Sequence, residues 1–358
     1  MPASFVMAGG GTGGHVVPLL AVARELRARG HNVVFIGVRR GIEAKLVPAE
    51  GFPIEWVEIG GLNRVGLRQM ISSLTALPFS VLKAKAILQE VRPAAVFSLG
   101  GYVAGPVLLA AIWTRIPIVV MEPNAIPGFT HRKLARFITR ALVSFDETAK
   151  WFPPGRTEVT GLPIREEFFA VESKPMRETV TVLITGGSQG SRTLNRATEE
   201  SWPLWAKALP EGTKLRLIHQ TGARMFEELA PRYRASGIEG EISAFLNMPE
   251  AFAKADIVVG RSGMGNVSEL AAAGKPSILV PFPGASDDHQ LRNAEAMQQA
   301  GAAKLVLDGE MNGPRLVSEV CALIQQPEKL REMSAAARKF ARAGAAKRAA
   351  ELLESLAP

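Results

Sequence analysis

Cysteine is almost absent from this chain of 358 residues. The single cysteine, Cys321, excludes a disulfide within the chain and any metal cluster built from cysteines. Such scarcity is typical of proteins kept in a reducing cytoplasm. We expect Cys321 to fill space in a buried helix.

Export signals and membrane spans are also missing from the sequence pattern. Residues 4–8 form an apolar strand pattern at once, without a basic segment or a longer apolar run, so we expect a cytoplasmic protein. The most apolar stretch, residues 96–121, is interrupted by Pro106, Arg115 and Pro117, which argues against a membrane span. It predicts instead a strand, a loop, a buried helix and a second strand.

Acidic residues are too few to balance the basic ones, and the imbalance is local. The net charge of +8 falls entirely on residues 1–163, while the rest of the chain is neutral. This excess could attract nucleic acid, an anionic membrane surface or a phosphorylated substrate, or it could simply coat solvated helices. The presence of only two tyrosines, and no interleaving of basic and aromatic residues, argues against nucleic acid.

Glycine, in contrast, forms clusters in two similar loops. GGGTGGH occupies residues 9–15, and GGSQG occupies residues 186–190. Each follows a short apolar run and precedes a helical pattern, and a backbone without Cβ lets a phosphate group approach closely. The pair suggests two nucleotide-fold halves with a ligand cleft between them.

Short β-rich runs alternate with helical patterns along both halves, which predicts parallel sheets covered on both faces. The predicted fold class is α/β, with two doubly wound Rossmann-like domains facing a central cleft. We place the hinge within residues 160–177. The domains are then residues 1–163, residues 164–340, and a terminal helix at 341–358 that could pack back on the first domain. The predicted strands are residues 4–8, 33–36, 94–98, 118–121, 141–144, 179–185, 215–219, 241–244, 256–259, 277–280 and 304–307.

The first glycine loop ends in His15. The loop fits GxGxxG spacing, but the acidic ribose ligand of a dinucleotide site and the Walker lysine are both missing. A histidine at the start of a helix suits a general base, although it could also only cap the helix. Asn124, in the loop EPNAIPG, could bind sugar hydroxyls or could only form a turn.

The second half offers a stronger group of residues. The amides of the second glycine loop and the Ser188 hydroxyl could hold a diphosphate. RSGMGNVSE, residues 261–269, predicts a further strand-to-helix turn in which Met264 and Gly265 present amides. Glu269 could accept both hydroxyls of a ribose, or it could only stabilise the helix dipole.

A proline- and glycine-rich loop at residues 281–294 contains Asp287, Asp288, His289 and Gln290. An Asp-Asp-His run is compatible with a metal site. No further cluster of histidines or carboxylates at ligand spacing supports such a site, so we expect no metal. The same groups can hydrogen-bond a sugar.

Taken in order, GGGTGGH, GGYVAGP, EPNAIPG, TGLPIR, GGSQG, RSGMGNVSE and DDHQLRNA resemble the MurG-type N-acetylglucosaminyltransferases of bacterial cell-wall synthesis. The resemblance covers roughly residues 5–305. It implies a GT-B fold and an inverting transfer without cofactor or required metal, at the cytoplasmic face of the inner membrane. The implied substrates are UDP-N-acetylglucosamine and the C4 hydroxyl of undecaprenyl-diphosphate-linked N-acetylmuramyl-pentapeptide.

The same resemblance implies roles for individual residues. Arg165 would meet the departing phosphate, the Leu246 backbone would bind the uracil edge, and His289 with Gln290 would bind the donor sugar. The implied acceptor side consists of His15, as candidate base, with Tyr102 and Asn124. The implied donor-binding set is Thr12, Gly13, Gly14, Asn124, Arg165, Ser188, Gln189, Leu246, Met264, Gly265, Glu269, His289 and Gln290.

Two motifs depart from the family pattern. The loop that usually reads HEQN is MEPN here, so Met121 and Pro123 cannot make the polar contacts of histidine and glutamine. The family's RSGALTVSE is RSGMGNVSE, which changes side-chain shape near the nucleotide. Ser188 and Glu269 are unaffected.

A lipid-linked acceptor would also account for the basic first half. Between residues 63 and 88, apolar side chains accompany basic ones, which suits an anionic bilayer surface, although core packing of a helix would give a similar pattern. The expected membrane contacts are Arg68, Met70, Leu74, Phe79 and Lys83.

Three other functions compete with this one. A UDP-sugar 2-epimerase or a glycosyltransferase with a soluble acceptor would share the donor site. A nicotinamide oxidoreductase rests on the first glycine loop alone, and a nucleic-acid-binding protein rests on charge alone.

Overall fold

The computed structural model describes residues 2–59, 67–172 and 178–357, without the side chains of 67–75 and 286. Its contacts divide the chain into two compact units. Unit 1 consists of Met1–Ile164 and Arg342–Pro358, and unit 2 of Arg165–Ala341.

Unit 1 is built on seven parallel strands in the order β3-β2-β1-β4-β5-β6-β7. Its central strands are buried on both faces, because helices cover the sheet on each side. The strands are β1 Ser4–Gly9, β2 Asn32–Gly37, β3 Ile54–Trp56, β4 Ala95–Gly100, β5 Ile118–Glu122, β6 Arg140–Val143 and β7 Thr157–Val159. The first five helices are α1 Gly13–Ala28, α2 Glu43–Ala49, α3 Leu67–Val91, α4 Ala104–Thr114 and α5 Phe129–Leu134.

Unit 2 repeats this plan with six parallel strands in the order β10-β9-β8-β11-β12-β13. The strands are β8 Thr179–Thr185, β9 Lys214–Gln220, β10 Gly240–Ser243, β11 Ile257–Gly260, β12 Ser277–Leu279 and β13 Ala303–Leu305. The helices are α6 Arg192–Ser201, α7 Trp205–Ala208, α8 Ala223–Ala235, α9 Met248–Lys254, α10 Met264–Ala273, α11 His289–Gln299, α12 Gly313–Ile324 and α13 Pro327–Arg338.

The prediction of two doubly wound α/β domains is confirmed, and so is the burial of Cys321 inside α12. The two three-residue edge strands, β3 and β7, were not predicted. Both are short, and neither is fully buried, so neither produces the apolar run that marks the inner strands.

A turn separates the terminal segment, residues 341–358, from α13. The chain leaves α13, and α14, Ala345–Glu354, begins after Gly344, whose φ of 73° is left-handed. Helix α14 packs on α1, and Glu354 lies 2.8 Å from both Arg29 and His31. The last helix is therefore part of unit 1, although its sequence follows unit 2.

Within the described residues, no helix is long and apolar enough to cross a membrane.

Candidate active site

In unit 2 the second glycine loop and the start of α10 follow neighbouring strands. Strands β8 and β11 pair side by side, with Thr185 opposite Gly260 at their carboxyl ends. The chain order of the sheet reverses between these two strands, and open parallel sheets bind ligands at such a point. The topology therefore brings together the two motifs that the sequence assigned to the diphosphate.

The backbone of the second glycine loop turns sharply. Gly187 and Gly190 have left-handed φ values of 77° and 71°, and an added Cβ on Gly190 would collide with the carbonyl oxygen of Thr221. The Gly187 amide donates to the Thr185 hydroxyl at 3.1 Å. Ser188 is exposed at the tip, where its hydroxyl can reach a ligand, and Gln189 beside it is also exposed.

A buried polar network supports this loop from below. His219 is fully buried, and its Nε2 lies 2.9 Å from the Asn195 carboxamide oxygen. Asn195 in turn donates to the carbonyl oxygen of Thr221, the atom on which Gly190 packs. Burial lowers the pKa of His219 to about 3, so its ring is neutral at physiological pH. No pattern in the sequence indicates this network beyond the residue types themselves.

Helix α10 presents its amino end beside the loop. Gly263 precedes it in an extended conformation without a side-chain cap, so first-turn amides such as those of Met264 and Gly265 have no partner inside the helix. The positive end of the helix dipole also favours an anion at this place. The geometry suits a diphosphate.

Glu269 lies further along α10 and is half-buried. Burial raises the pKa of Glu269 to about 7, and the nearby Arg165 guanidinium opposes this rise. The structure thus brings Arg165, from the start of unit 2, into electrostatic reach of Glu269. A carboxyl with such a pKa is poised to ionise when hydroxyl donors arrive.

Arg261, which opens the RSGMGNVSE motif, has a structural role. Its Nη1 donates to the carbonyl oxygens of Val280 and Pro281 at 3.0 and 3.2 Å and to Asp308 at 2.5 Å. These bonds anchor the start of the loop at residues 281–290. Sequence reasoning missed this role because Asp308 is distant along the chain.

The predicted sugar-binding pair lies at the end of that loop. The Gln290 side-chain oxygen accepts the Phe282 amide at 3.0 Å, so Gln290 holds the loop closed on itself. Nε2 of His289 lies 4.0 Å from Asp287. Asp287 and Asp288 both have left-handed φ, which gives the loop a tight turn before α11. Among the described residues, no group of three or more potential ligands could hold a metal ion.

Leu246 follows β10 and is half-buried, next to the exposed Phe245. The Ser243 hydroxyl donates to the Phe245 carbonyl oxygen at 2.6 Å, and the Thr221 amide donates to Ser243. This turn is therefore tied to the end of β9, one strand away from the glycine loop.

The first glycine loop, in unit 1, differs from the second because a carboxylate of the chain already occupies it. Glu43 is buried and accepts the Gly11 amide at 2.9 Å and the Val38 amide at 3.2 Å. The Tyr102 ring covers Gly11. The Gly11 amide is thus already bonded within the chain, and the sequence offered no signal for Glu43.

His15 stands in the first turn of α1, after this filled loop. Its Nδ1 lies 3.0 Å from the Thr12 hydroxyl, and the imidazole is half-exposed. Gly13 and Gly14 start the helix, and a Cβ added at Gly13 would meet no heavy atom of the described residues within 4 Å. The helix has no side-chain cap at Thr12, so the hydroxyl serves the imidazole instead.

Asn124 and Tyr102 follow the neighbouring strands β5 and β4. Glu122, a residue that the sequence did not single out, accepts the backbone amide of Asn124 at 3.1 Å and its side-chain amide at 3.0 Å. Burial raises the pKa of the half-buried Tyr102, and the charge of Glu43 adds to this effect. Met121 is completely buried.

The expected membrane contacts all lie on α3. Phe79 is 75% exposed and Lys83 is exposed, while the side chains of Arg68, Met70 and Leu74 lie outside the described part of the chain. The alternative of core packing applies to another face of the same helix, whose buried apolar residues are Ala84, Ile87 and Leu88.

Two Rossmann-like units with parallel sheets of this order are the fold of the GT-B class, to which many glycosyltransferases belong. The chain belongs to glycosyltransferase family 28: the model of the family's N-terminal domain matches residues 5–143, and that of its C-terminal domain matches residues 181–349. The resemblance inferred from the ordered motifs is confirmed.

Relatives that are named for a specific sugar transfer match nearly the whole chain. One is the "UDP-N-acetylglucosamine--N-acetylmuramyl-(pentapeptide) pyrophosphoryl-undecaprenol N-acetylglucosamine transferase" of Solibacter usitatus, 57% identical over 99% of this chain and 96% of the relative. The protein of the same description from Anaeromyxobacter sp. (strain Fw109-5) is 42% identical over 98% and 93%.

Solved structures agree with this assignment. MurG of Acinetobacter baumannii superposes with a TM-score of 0.82 at 29% identity, covering 99% of this chain and 100% of that one. A UDP-GlcNAc 2-epimerase from Neisseria meningitidis has a TM-score of 0.64 at 15% identity, covering 99% and 100%, and shares the fold alone.

Proposed function

We propose that this glycosyltransferase moves N-acetylglucosamine from UDP-N-acetylglucosamine to the C4 hydroxyl of undecaprenyl-diphosphate-linked N-acetylmuramyl-pentapeptide. The product is the lipid-linked disaccharide used in peptidoglycan synthesis. The observation that carries the proposal is 57% identity, over 99% of the chain, to a relative named for this transfer. The diphosphate-compatible strand ends of unit 2 support it.

Unit 2 binds the donor. The glycine loop with Ser188 and the amides at Met264 and Gly265 hold the diphosphate, while Glu269 accepts the ribose hydroxyls. The Leu246 backbone meets the uracil, and His289 with Gln290 contacts the sugar. Arg165 and Gln189 complete the donor-binding groups of unit 2.

Unit 1 binds the acceptor near His15, Tyr102 and Asn124. When Nδ1 of His15 donates to the Thr12 hydroxyl, Nε2 keeps a lone pair that can take the proton of the C4 hydroxyl. The C4 oxygen then forms the new bond to the anomeric carbon from the face opposite the leaving group. The bond to the diphosphate oxygen breaks, its electron pair leaves with UDP, and the configuration inverts.

The leaving diphosphate gains negative charge as this bond breaks. The helix amides and the Arg165 guanidinium stabilise that charge, so the transfer requires neither a metal nor a cofactor. Both groups belong to unit 2, as the donor site does.

The enzyme meets its lipid-linked acceptor as a peripheral protein at the cytoplasmic face of the inner membrane. Phe79, Leu82 and Trp113 expose 75%, 52% and 57% of their surfaces, and Lys85 lies 3.8 Å above the Trp113 ring. Exposed aromatic and aliphatic groups with lysines suit an anionic bilayer surface. Helices α3 and α4, which carry them, pack together.

The test uses radiolabelled UDP-N-acetylglucosamine, the purified chain, and either a lipid-linked or a water-soluble muramyl acceptor, with and without EDTA. We expect label in the lipid fraction in both EDTA conditions and a loss of donor binding in Glu269→Ala. Transfer only to a soluble acceptor, or release of UDP with an epimerised sugar, would replace the proposal by one of its alternatives.

A further inference from the structure

A buried histidine and a buried glutamate lie between the loop that carries Asn124 and the turn that leads to Tyr102. Glu122, at the end of β5, is 2% exposed, and His131, in α5, is 1% exposed. Nδ1 of His131 donates to Glu122 Oε2 at 2.8 Å. The proposed mechanism uses neither residue.

The Glu122 carboxylate organises the loop that carries Asn124. One oxygen accepts the backbone amide and the side-chain amide of Asn124, and the other accepts the Gly128 amide at 3.0 Å and His131. These four donors match the lone-pair capacity of a carboxylate. The orientation of the Asn124 carboxamide is therefore set by Glu122.

The electrostatics of the pair depend on these donors. Burial alone would raise the pKa of Glu122, but the bond from His131 and the amides of Gly128 and Asn124 outweigh burial and lower it. A buried carboxylate that loses one such donor becomes costly to keep charged.

The other side of the imidazole touches the end of β4. A Cβ built on Gly100 would lie 3.4 Å from Cε1 of His131 and 3.7 Å from Nε2, and Gly100 has a left-handed φ of 92°. Within the described residues, Nε2 has no hydrogen-bond partner. The ring therefore packs under the turn that leads to Tyr102, while its Nδ1 holds the loop of Asn124.

We propose that His131 is a positioning residue for the acceptor. Its imidazole fixes Glu122, and through Glu122 it fixes Asn124, against the turn that follows β4. This inference rests on the proposed acceptor role of unit 1. The family usually has a histidine at the position of Met121 in the MEPN loop. In this chain the imidazole of His131 contacts the same loop from α5.

A matched pair of variants tests the role. Asn and Leu are similar in shape, but only Asn has an amide nitrogen near the position of Nδ1. At saturating UDP-N-acetylglucosamine, His131→Leu should lower kcat/KM for the lipid-linked acceptor by about tenfold or more, since small misplacements of a binding group cost up to about 100-fold. His131→Asn should stay near wild type, and the KM for UDP-N-acetylglucosamine should be unchanged in both.

Equal loss in both variants, a parallel loss of donor affinity, or an unaffected His131→Leu would overturn the inference. If His131→Leu does not fold, Glu122→Gln serves as the test variant, because a glutamine side chain can accept hydrogen bonds on one oxygen only. We expect the same loss of kcat/KM for the lipid-linked acceptor, and the absence of this loss refutes the positioning role. A wild-type chain that transfers nothing to the lipid-linked acceptor refutes the proposed function and the inference with it.

Discussion

The ionisation of Glu269 should control donor affinity near neutral pH. Burial raises its pKa to about 7 against the opposing charge of Arg165, and a carboxylate accepts two ribose hydroxyls, whereas a carboxylic acid accepts them less well. UDP-N-acetylglucosamine should therefore bind the ionised form. Between pH 8 and pH 6 the ionised fraction falls about tenfold, so the Kd should rise about tenfold.

Calorimetry measures this directly. At pH 7, binding should release roughly half a proton, which appears as a dependence of the measured heat on the ionisation enthalpy of the buffer. UDP-N-acetylglucosamine suits the experiment because its diphosphate carries a sugar on each side and has no secondary ionisation in this range. Glu269→Gln is the control: it should bind more weakly, with a flat profile and no proton release.

The same shift has a consequence for stability. The pKa of Glu269 is raised above the ordinary value of 4.5, so the folded chain holds this proton more tightly than the unfolded chain does. The stabilisation from this group is complete below pH 4.5 and is lost as the pH rises through about 7, by about 3 kcal/mol at most. Glu269→Gln should therefore gain stability over wild type between pH 5 and pH 8 in urea unfolding.

A Kd for UDP-N-acetylglucosamine that stays constant from pH 6 to pH 8 would refute this reasoning. So would a Glu269→Gln variant with the same slope as wild type.

Three further predictions concern unit 1. His15→Ala should lower kcat about 100-fold with UDP affinity near normal, and unchanged turnover in the transfer assay would exclude the general-base role. Glu43→Ala should lower the free energy of unfolding by about 3 kcal/mol, because two loop amides lose their acceptor. An unchanged midpoint of urea unfolding would contradict this role of Glu43. Phe79→Ser with Lys83→Glu should weaken binding to anionic vesicles roughly tenfold while leaving transfer to a water-soluble acceptor intact, and full vesicle binding in sedimentation would remove this contact.

The inner strands and the glycine loops were predictable from the sequence because their signals are local. A buried parallel strand is a short apolar run, and a tight strand-to-helix turn requires glycine at positions such as Gly187 and Gly190. The edge strands β3 and β7 lack such a run, and the break before α14 depends on one left-handed glycine.

The sequence by itself determined two α/β domains, their glycine loops and the family, since these depend on the order of short motifs. Only the tertiary structure showed that a carboxylate of the chain fills the first glycine loop. Glu43, which fills the first, lies 32 positions from Gly11, and His131 reaches Glu122 across a turn of the chain. The ionisation and the hydrogen bonds of such a carboxyl group depend on its surroundings in the fold. The sequence shows only the residue type, which is the same for a carboxylate in water and for one enclosed by amides.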